Sequence, residues 1–169
     1  MIKKEQKNTL IVCLAVLAIV VVAVLAVMLW PKSGNLSGGE IKNAGDYYVL
    51  SYEASYNSNA NLLTGSAEYE IIDSTARLNS ILGKLQGGKS TGFDKDFFET
   101  NNLLITRGGV EATVDSLEFD ETSAEIVIYH DCPLGTDADI YTFKTFLIPV
   151  EKTVTSASVT NSCYPDRLY

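Results

Sequence analysis

The sequence has few of the residues on which most catalytic and metal sites depend. It contains one histidine, His130, and three cysteines. A structural zinc site normally takes four Cys or His ligands, and a nucleophilic site needs a base with an orienting third group. The sequence also lacks a G-x-G-x-x-G or Walker phosphate loop and a G-x-S-x-G elbow. We therefore predict no catalytic residue, no cofactor and no metal ligand, and a chain that is not an enzyme.

Positive charge is scarce as well. The chain has 13 basic and 21 acidic side chains and a formal net charge of −8. Three lysines and one glutamate lie in the first eight residues, which leaves 10 basic and 20 acidic side chains in the remainder. Nucleic acids and anionic headgroups are bound through lysine and arginine, so this balance argues against such partners.

One long apolar segment dominates the N-terminal region. The 22 residues from Thr9 to Trp30 carry no charge, and at about 1.5 Å per residue a helix of that length crosses a hydrocarbon core of roughly 30 Å. Lysines in residues 1–8 place that tail in the cytoplasm. A cleaved signal peptide ending at Ala26 is the alternative, but the length of the run favours a retained signal-anchor. We predict a single-pass cell-membrane protein that contacts lipid through this segment.

The region after the anchor is predicted to be extracytoplasmic. Residues 31–45 are rich in Gly, Ser and Asn, which predicts a flexible stalk. Residues 46–169 predict an α+β domain, a mostly antiparallel sheet with one main helix packed on it. That helix is indicated by apolar residues at i, i+3, i+4 and i+7 from Leu78. Asp73 or Ser74 can cap its start and Gly87-Gly88 can end it.

Strands and turns are indicated around this helix. Runs rich in Tyr, Val and Ile predict strands at Asp46–Tyr56, Glu68–Asp73, "AEIVIYH" and Ile140–Lys152. The stretch "EATVDSLEFD" predicts a further strand, which the polar hairpin turn "DETS" follows. Asp94 can cap a short helical turn from Lys95 to Glu99, and Gly108-Gly109 is interpreted as a turn.

Four stretches occur in an order typical of a known family. They are "STARLNSILGKL", "FDKDFFETNNLLI", "VDSLEFDETSAEIVIY" and "YTFKTFLIPVEK". The segment from Ile71 to Lys152 thereby resembles the C-terminal domain of the protease-complex subunit PrcB family, small domains of bacterial extracytoplasmic and membrane-anchored proteins. The resemblance implies a non-catalytic accessory module associated with a secreted protease complex, and it brings no catalytic residues.

The stretch "YHDCPLG" places His130 and Cys132 together at the end of a predicted strand. Their side chains share a face if the strand persists, but Pro133 follows at once, so a Cys-His catalytic pair or zinc site is disfavoured. Cys132 and Cys163 are instead predicted to form a disulfide, because both lie on the oxidising side of the membrane. Two free buried thiols are the alternative.

Two sets of residues are candidates for an interaction surface. Tyr47, Tyr48 and Tyr52 cluster at the start of the domain and predict a recognition surface, with alternation along a half-buried strand as the alternative. Asp137 and Asp139 belong to an acidic loop that is read as solvated rather than as a calcium site.

Two functions remain open on this reading. The first is a membrane-anchored accessory module that binds an unknown extracytoplasmic protein and assists a secreted or envelope protease complex. The second is a small-ligand-dependent or metal-dependent extracytoplasmic enzyme that uses acidic residues and His130.

Overall fold

The computed structural model describes residues 36–55, 61–63, 65–85, 92–132 and 139–164. All of them belong to one compact unit, Ser33–Tyr169. The predicted anchor, Thr9–Trp30, lies outside the described residues, and so does most of the predicted stalk's first half. Within the described ranges, no helix has the length and apolar character needed to cross a membrane.

The described residues form eight strands and two short helices. This confirms the coarse prediction of a mostly antiparallel sheet with few helices. In chain order the elements are β1 Ser37–Asn43, β2 Tyr48–Ser55, β3 Tyr69–Ile72, α1 Thr75–Leu82, α2 Lys95–Thr100, β4 Asn101–Thr106, β5 Gly109–Phe119, β6 Ser123–Asp131, β7 Ile140–Glu151 and β8 Ser156–Cys163.

The long strand β7 is the centre of the sheet. Along one edge it pairs with β2, and along the other it pairs first with β4 and then, at Lys144 and Phe143, with the start of β5. Beyond Val110, β5 turns away and pairs with β6, and β8 adds to β6 in parallel. The side-chain amide of Asn161 on β8 donates to Glu68, just before β3, at 2.7 Å. The sheet therefore curls until β8 lies beside β3.

Two apolar cores lie on opposite faces of this sheet. Side chains alternate along a strand, so neighbouring residues of β4 and β7 enter different cores. Leu103 and Leu147 pack with the helices on one face, whereas Leu104 and Phe146 pack inside the curled half on the other. Both faces of these central strands are thus buried at residues 103–105 and 146–148, which explains the uninterrupted apolar run at each place.

The helices begin largely as predicted. Asp94 caps α2 by accepting a hydrogen bond from the backbone N–H of Phe97 at 3.0 Å, as expected. Ser74 occupies the N-cap of α1 but its side chain makes no capping hydrogen bond. The predicted end at Gly87-Gly88 is wrong, because α1 ends at Gly83, whose N–H bonds to the Asn79 carbonyl at 2.8 Å.

The predicted stalk is wrong for its second half. Residues Ser37–Asn43 form β1, an edge strand paired antiparallel with β2. The preceding Leu36 is buried in the core on the helix face. Composition predicted flexibility because few of these side chains are apolar, but backbone hydrogen bonds to a formed neighbour order an edge strand without them. The folded domain therefore begins by residue 36.

Tyr52 lies inside the helix-side core. It is 2% exposed, its ring stacks on Phe143 and its Oη lies 3.4 Å from Thr145 Oγ1. Burial raises the pKa of the Tyr52 phenol to about 12 from its ordinary 10.0, with the hydrogen bond to Thr145 and the charge of Arg107 opposing the rise. The folded protein therefore holds this proton at a pH where an unfolded tyrosine releases it.

Alkaline pH should accordingly destabilise the fold through Tyr52. Its contribution is complete below pH 10 and is lost as pH rises toward the folded value near 12. In that window the free energy of unfolding should fall by about 1.4 kcal/mol per pH unit from this residue. Urea unfolding of wild type and Tyr52→Phe between pH 9 and 12 measures it. The variant should show a shallower decline, and parallel declines would contradict the assignment.

Candidate functional site

The predicted tyrosine surface does not exist as one surface. Tyr52 is a core residue, so its assignment to a recognition surface is wrong. Tyr47 and Tyr48 are half-buried and point to opposite faces of the sheet. Tyr47 meets Phe146 edge-on at 5.6 Å, and Tyr48 meets Phe93 edge-on at 4.9 Å. The alternative that the sequence left open, alternation along a half-buried strand, accounts for the positions of all three tyrosines.

Of the two acidic candidates, Asp137 and Asp139, the structure describes only the second. Asp137 lies outside the described residues. Asp139 is exposed, and its carboxylate accepts a hydrogen bond from the Tyr141 hydroxyl at 3.3 Å. Their role in partner binding stays a prediction.

His130 and the two cysteines meet at one end of β6 and β8. The strands pair in register there, His130 beside Cys163, and Cys132 and Cys163 form a disulfide with Cα atoms 5.6 Å apart. His130 Nδ1 lies 3.7 Å from Cys132 Sγ and 3.0 Å from the Asp131 carbonyl oxygen. The cysteine sulfurs are bonded to each other, so neither is a thiolate nucleophile in this state.

The Gly109 backbone lies close to the base of the His130 side chain. A Cβ added to Gly109 on the neighbouring strand would lie 2.8 Å from His130 Cβ. The backbone N–H of Tyr164 donates to the His130 carbonyl at 3.1 Å. In the disulfide-bonded protein the residue is thus a packed side chain at a strand end.

His130→Ala should therefore affect stability alone in the disulfide-bonded protein. Loss of packing against Gly109 should lower the free energy of unfolding by about 0.5 to 2 kcal/mol. Partner binding should not change. Denaturant unfolding and partner capture, run on the same preparation, provide the check, and an abolished activity in a folded variant would favour the enzyme hypothesis instead.

A cleft lined by both apolar and acidic side chains lies at the other end of the sheet. It has a volume of about 360 Å³. Phe119, at the tip of the β5–β6 hairpin, lines it and is 51% exposed. Pro149, Val150 and Val154 supply further apolar surface, and none of the described residues that line the cleft is a lysine or arginine. Its charged lining residues are Asp120, Glu121 and Glu151.

Backbone hydrogen bonds hold the walls of this cleft. The turn after β5 closes through the N–H of Asp120 and the carbonyl of Ser123 at 2.9 Å. The same turn is tied to the start of β8, because the Thr155 N–H donates to the Thr122 carbonyl at 3.0 Å. The Val154 N–H donates to the Glu151 carbonyl at 3.0 Å. A cleft built this way loses little conformational entropy when a ligand enters.

A second cleft borders the first at Val154 but has a different character. It has a volume of about 520 Å³, and its charges are largely paired with each other. Arg77 donates two hydrogen bonds to the Glu70 carboxylate, at 2.5 and 2.8 Å. These bonds raise the pKa of the Arg77 guanidinium. The acidic carboxylates of the first cleft are thus the better candidates for binding an outside partner.

Sequence reasoning missed the Phe119 cleft. The stretch "LEFDETS" was interpreted as strand and polar turn, which is correct for its backbone. The available signal was an aromatic residue between Glu118 and Asp120, at a turn where large apolar side chains are seldom needed. The other wall, from the β7–β8 turn, is about 30 residues away in sequence, and only strand pairing brings it near.

Comparison of the chain with protein-family models, with curated proteins and with solved structures finds no match. The resemblance to the PrcB family stays a prediction from the four stretches in the sequence.

Proposed function

We propose that this chain is a membrane-anchored accessory module whose extracytoplasmic domain binds another protein through the Phe119 cleft. The observation that carries the proposal is the cleft itself, in which an exposed aromatic side chain lies with three apolar residues and three carboxylates. Aromatic side chains next to preformed apolar surface are typical of the residues that supply most binding energy at protein interfaces.

The position of the cleft supports this role. The chain enters the sheet at Ser37, which pairs with Glu53, and Glu53 pairs with Thr142 near the start of β7. The cleft lies near Val150, at the other end of the same strand. Eight residues at about 3.3 Å each separate Thr142 from Val150, or roughly 26 Å. The cleft therefore lies at the end of β7 away from the point at which the chain enters the sheet, and β1 is not among the elements that line it.

The charge of the cleft defines the partner's chemistry. Carboxylates of Asp120, Glu121 and Glu151 favour a segment with lysine or arginine beside an apolar side chain. The family resemblance suggests a subunit of a secreted or envelope protease complex. The anchor, Thr9–Trp30, would hold the module at the cell membrane and raise its local concentration near that partner.

Two variants separate this proposal from a general loss of folding. Phe119→Ser should weaken partner binding by about tenfold or more, because it removes the exposed aromatic contact. Ile140→Ser is the matched control, since Ile140 is also a large exposed apolar residue, 71% exposed, at the opposite end of β7. Affinity measured by surface capture of the purified partner should fall for the first variant only. Equal losses for both, or none for either, would reject the cleft.

A further inference from the structure

We propose that reduction of the Cys132–Cys163 disulfide converts the end of β6 and β8 into a Zn²⁺ site. Its ligands would be His130 and the two cysteine thiolates. The ligand atoms of these three residues all lie within 4.8 Å of one another. The inference is independent of the Phe119 cleft, which lies at the other end of the sheet.

The positions of the donors already suit a tetrahedral ion. With Zn–S near 2.3 Å and Zn–N near 2.0 to 2.1 Å, a sulfur and a nitrogen on one ion are about 3.6 Å apart. Cys132 Sγ and His130 Nδ1 are 3.7 Å apart here. The two sulfurs, bonded in the disulfide, would need to separate to about 3.8 Å. Rotation about the Cα–Cβ bonds of the two cysteines can supply this with their Cα atoms in place.

The backbone would keep the three residues together after the disulfide opens. His130 and Cys163 are register partners in the parallel pair of β6 and β8. The N–H of Tyr164, the residue after Cys163, bonds to the His130 carbonyl. The Gly109 backbone packs against Cβ and Cγ of His130, and Nδ1 already faces Cys132 Sγ at 3.7 Å. Reduction would thus release two thiols into a site whose nitrogen ligand is already oriented.

The chemistry requires a reductant and releases protons. A dithiol reductant transfers two electrons and two protons to the disulfide, giving two cysteine thiols and its own disulfide. Zn²⁺ then replaces the two thiol protons, which leave to solvent. The imidazole must bind through Nδ1 as the Nε2–H tautomer, so it gives up its contact with the Asp131 carbonyl. Three protein ligands leave a fourth position for water.

Oxidation state therefore decides whether the site exists. His130 and Cys132 are both partly exposed, so a reductant and an ion can reach them. The disulfide-bonded protein offers only the imidazole and should bind no zinc in competition with a chelator. The reduced protein should bind one ion per chain, and the metal would replace the lost covalent link between β6 and β8.

The test uses the full-length chain in detergent with Cys13→Ser, so that the third cysteine cannot contribute. One half of the sample is reduced with a phosphine and desalted without oxygen, and the other half stays oxidised. Both are titrated with Zn²⁺ in competition with a chromophoric chelator. We expect one bound zinc per chain after reduction and none before it. Co²⁺ should give the visible absorption of a tetrahedral site with thiolate ligands. Zinc binding by the oxidised protein, or none by the reduced protein, overturns the proposal.

His130→Ala distinguishes this site from two thiols alone. It keeps both cysteines, and loss of one of three ligands should weaken zinc binding by at least about tenfold. Cys132→Ser should abolish it. Near-ultraviolet circular dichroism reports the fold in every state. If reduction unfolds the protein, zinc should restore the native spectrum, and failure to do so overturns the proposal, as does undiminished zinc affinity in His130→Ala.

Discussion

Removal of the Cys132–Cys163 disulfide is expected to lower the free energy of unfolding by roughly 3 to 4 kcal/mol, the loop-closure entropy of a cross-link of this span. The two cysteines are 31 positions apart in sequence. The disulfide connects β8, which is the last strand and has β6 as its paired neighbour, to the end of β6. Urea unfolding of the region from Ser33 onward, comparing wild type with Cys132→Ser/Cys163→Ser, gives the difference directly.

Thiol titration provides the control for that experiment. The wild-type domain, denatured without reductant, should show no reactive thiol, and two should appear after reduction. Two reactive thiols before reduction would contradict the disulfide in solution. They would instead support the alternative that the sequence left open, two free cysteines. A serine double variant as stable as wild type would show that strand pairing alone holds β8.

Gly108→Ala adds one methyl group, and we expect it to lower stability more than an added methyl group at any other glycine in the described part of the chain. A Cβ at this position would lie 2.5 Å from Tyr52 Oη and 2.7 Å from Thr145 Oγ1. Both neighbours are buried in the centre of the sheet, so neither can move aside freely. We expect the free energy of unfolding to fall by about 2 to 3 kcal/mol. Thermal and urea unfolding of the purified domain measure the loss.

A double-mutant cycle tests the stated cause. Tyr52→Phe removes the atom closest to the added methyl group, so Gly108→Ala should cost about 1 kcal/mol less in that background. Contact with Thr145 remains and keeps the rescue partial. Strictly additive losses would mean that the methyl group does not meet Tyr52, and that the damage arises from the backbone.

The periodic parts of the chain were predictable from sequence. β2, β3, β6 and β7 form where runs rich in Tyr, Val and Ile predicted strands, and α2 has the Asp94 cap that the sequence indicated. These features depend on neighbours within a few residues. The turn at 120–122 between β5 and β6 was equally visible, because polar residues separate two apolar runs.

Features that depend on distant partners were not predictable. β1 was assigned to the stalk because its order comes from pairing with β2 rather than from its own side chains. Gly108 was interpreted as a turn residue, whereas its small size makes room for Tyr52, 56 positions earlier in the chain. The Phe119 cleft joins two turns that become neighbours only when β5 to β8 assemble. Each of these requires the register of the whole sheet.

The corrected start of the domain changes how it should be studied. A soluble fragment beginning at Asp46, directly after the predicted stalk of residues 31–45, would remove β1 and leave the β2 edge open. An open edge strand favours aggregation. Fragments should therefore begin at Ser33, the first residue of the compact unit.

Site-specific photo-cross-linking in intact cells tests the interaction proposal most directly. The full-length chain would carry a photoreactive side chain at position 119 in one sample and at position 140 in another. The account predicts one protein adduct of defined mass from position 119 that is absent from position 140, and its loss when Asp120 and Glu121 are both changed to lysine. The same adducts from both positions, or no protein adduct from position 119, would contradict partner binding at the Phe119 cleft.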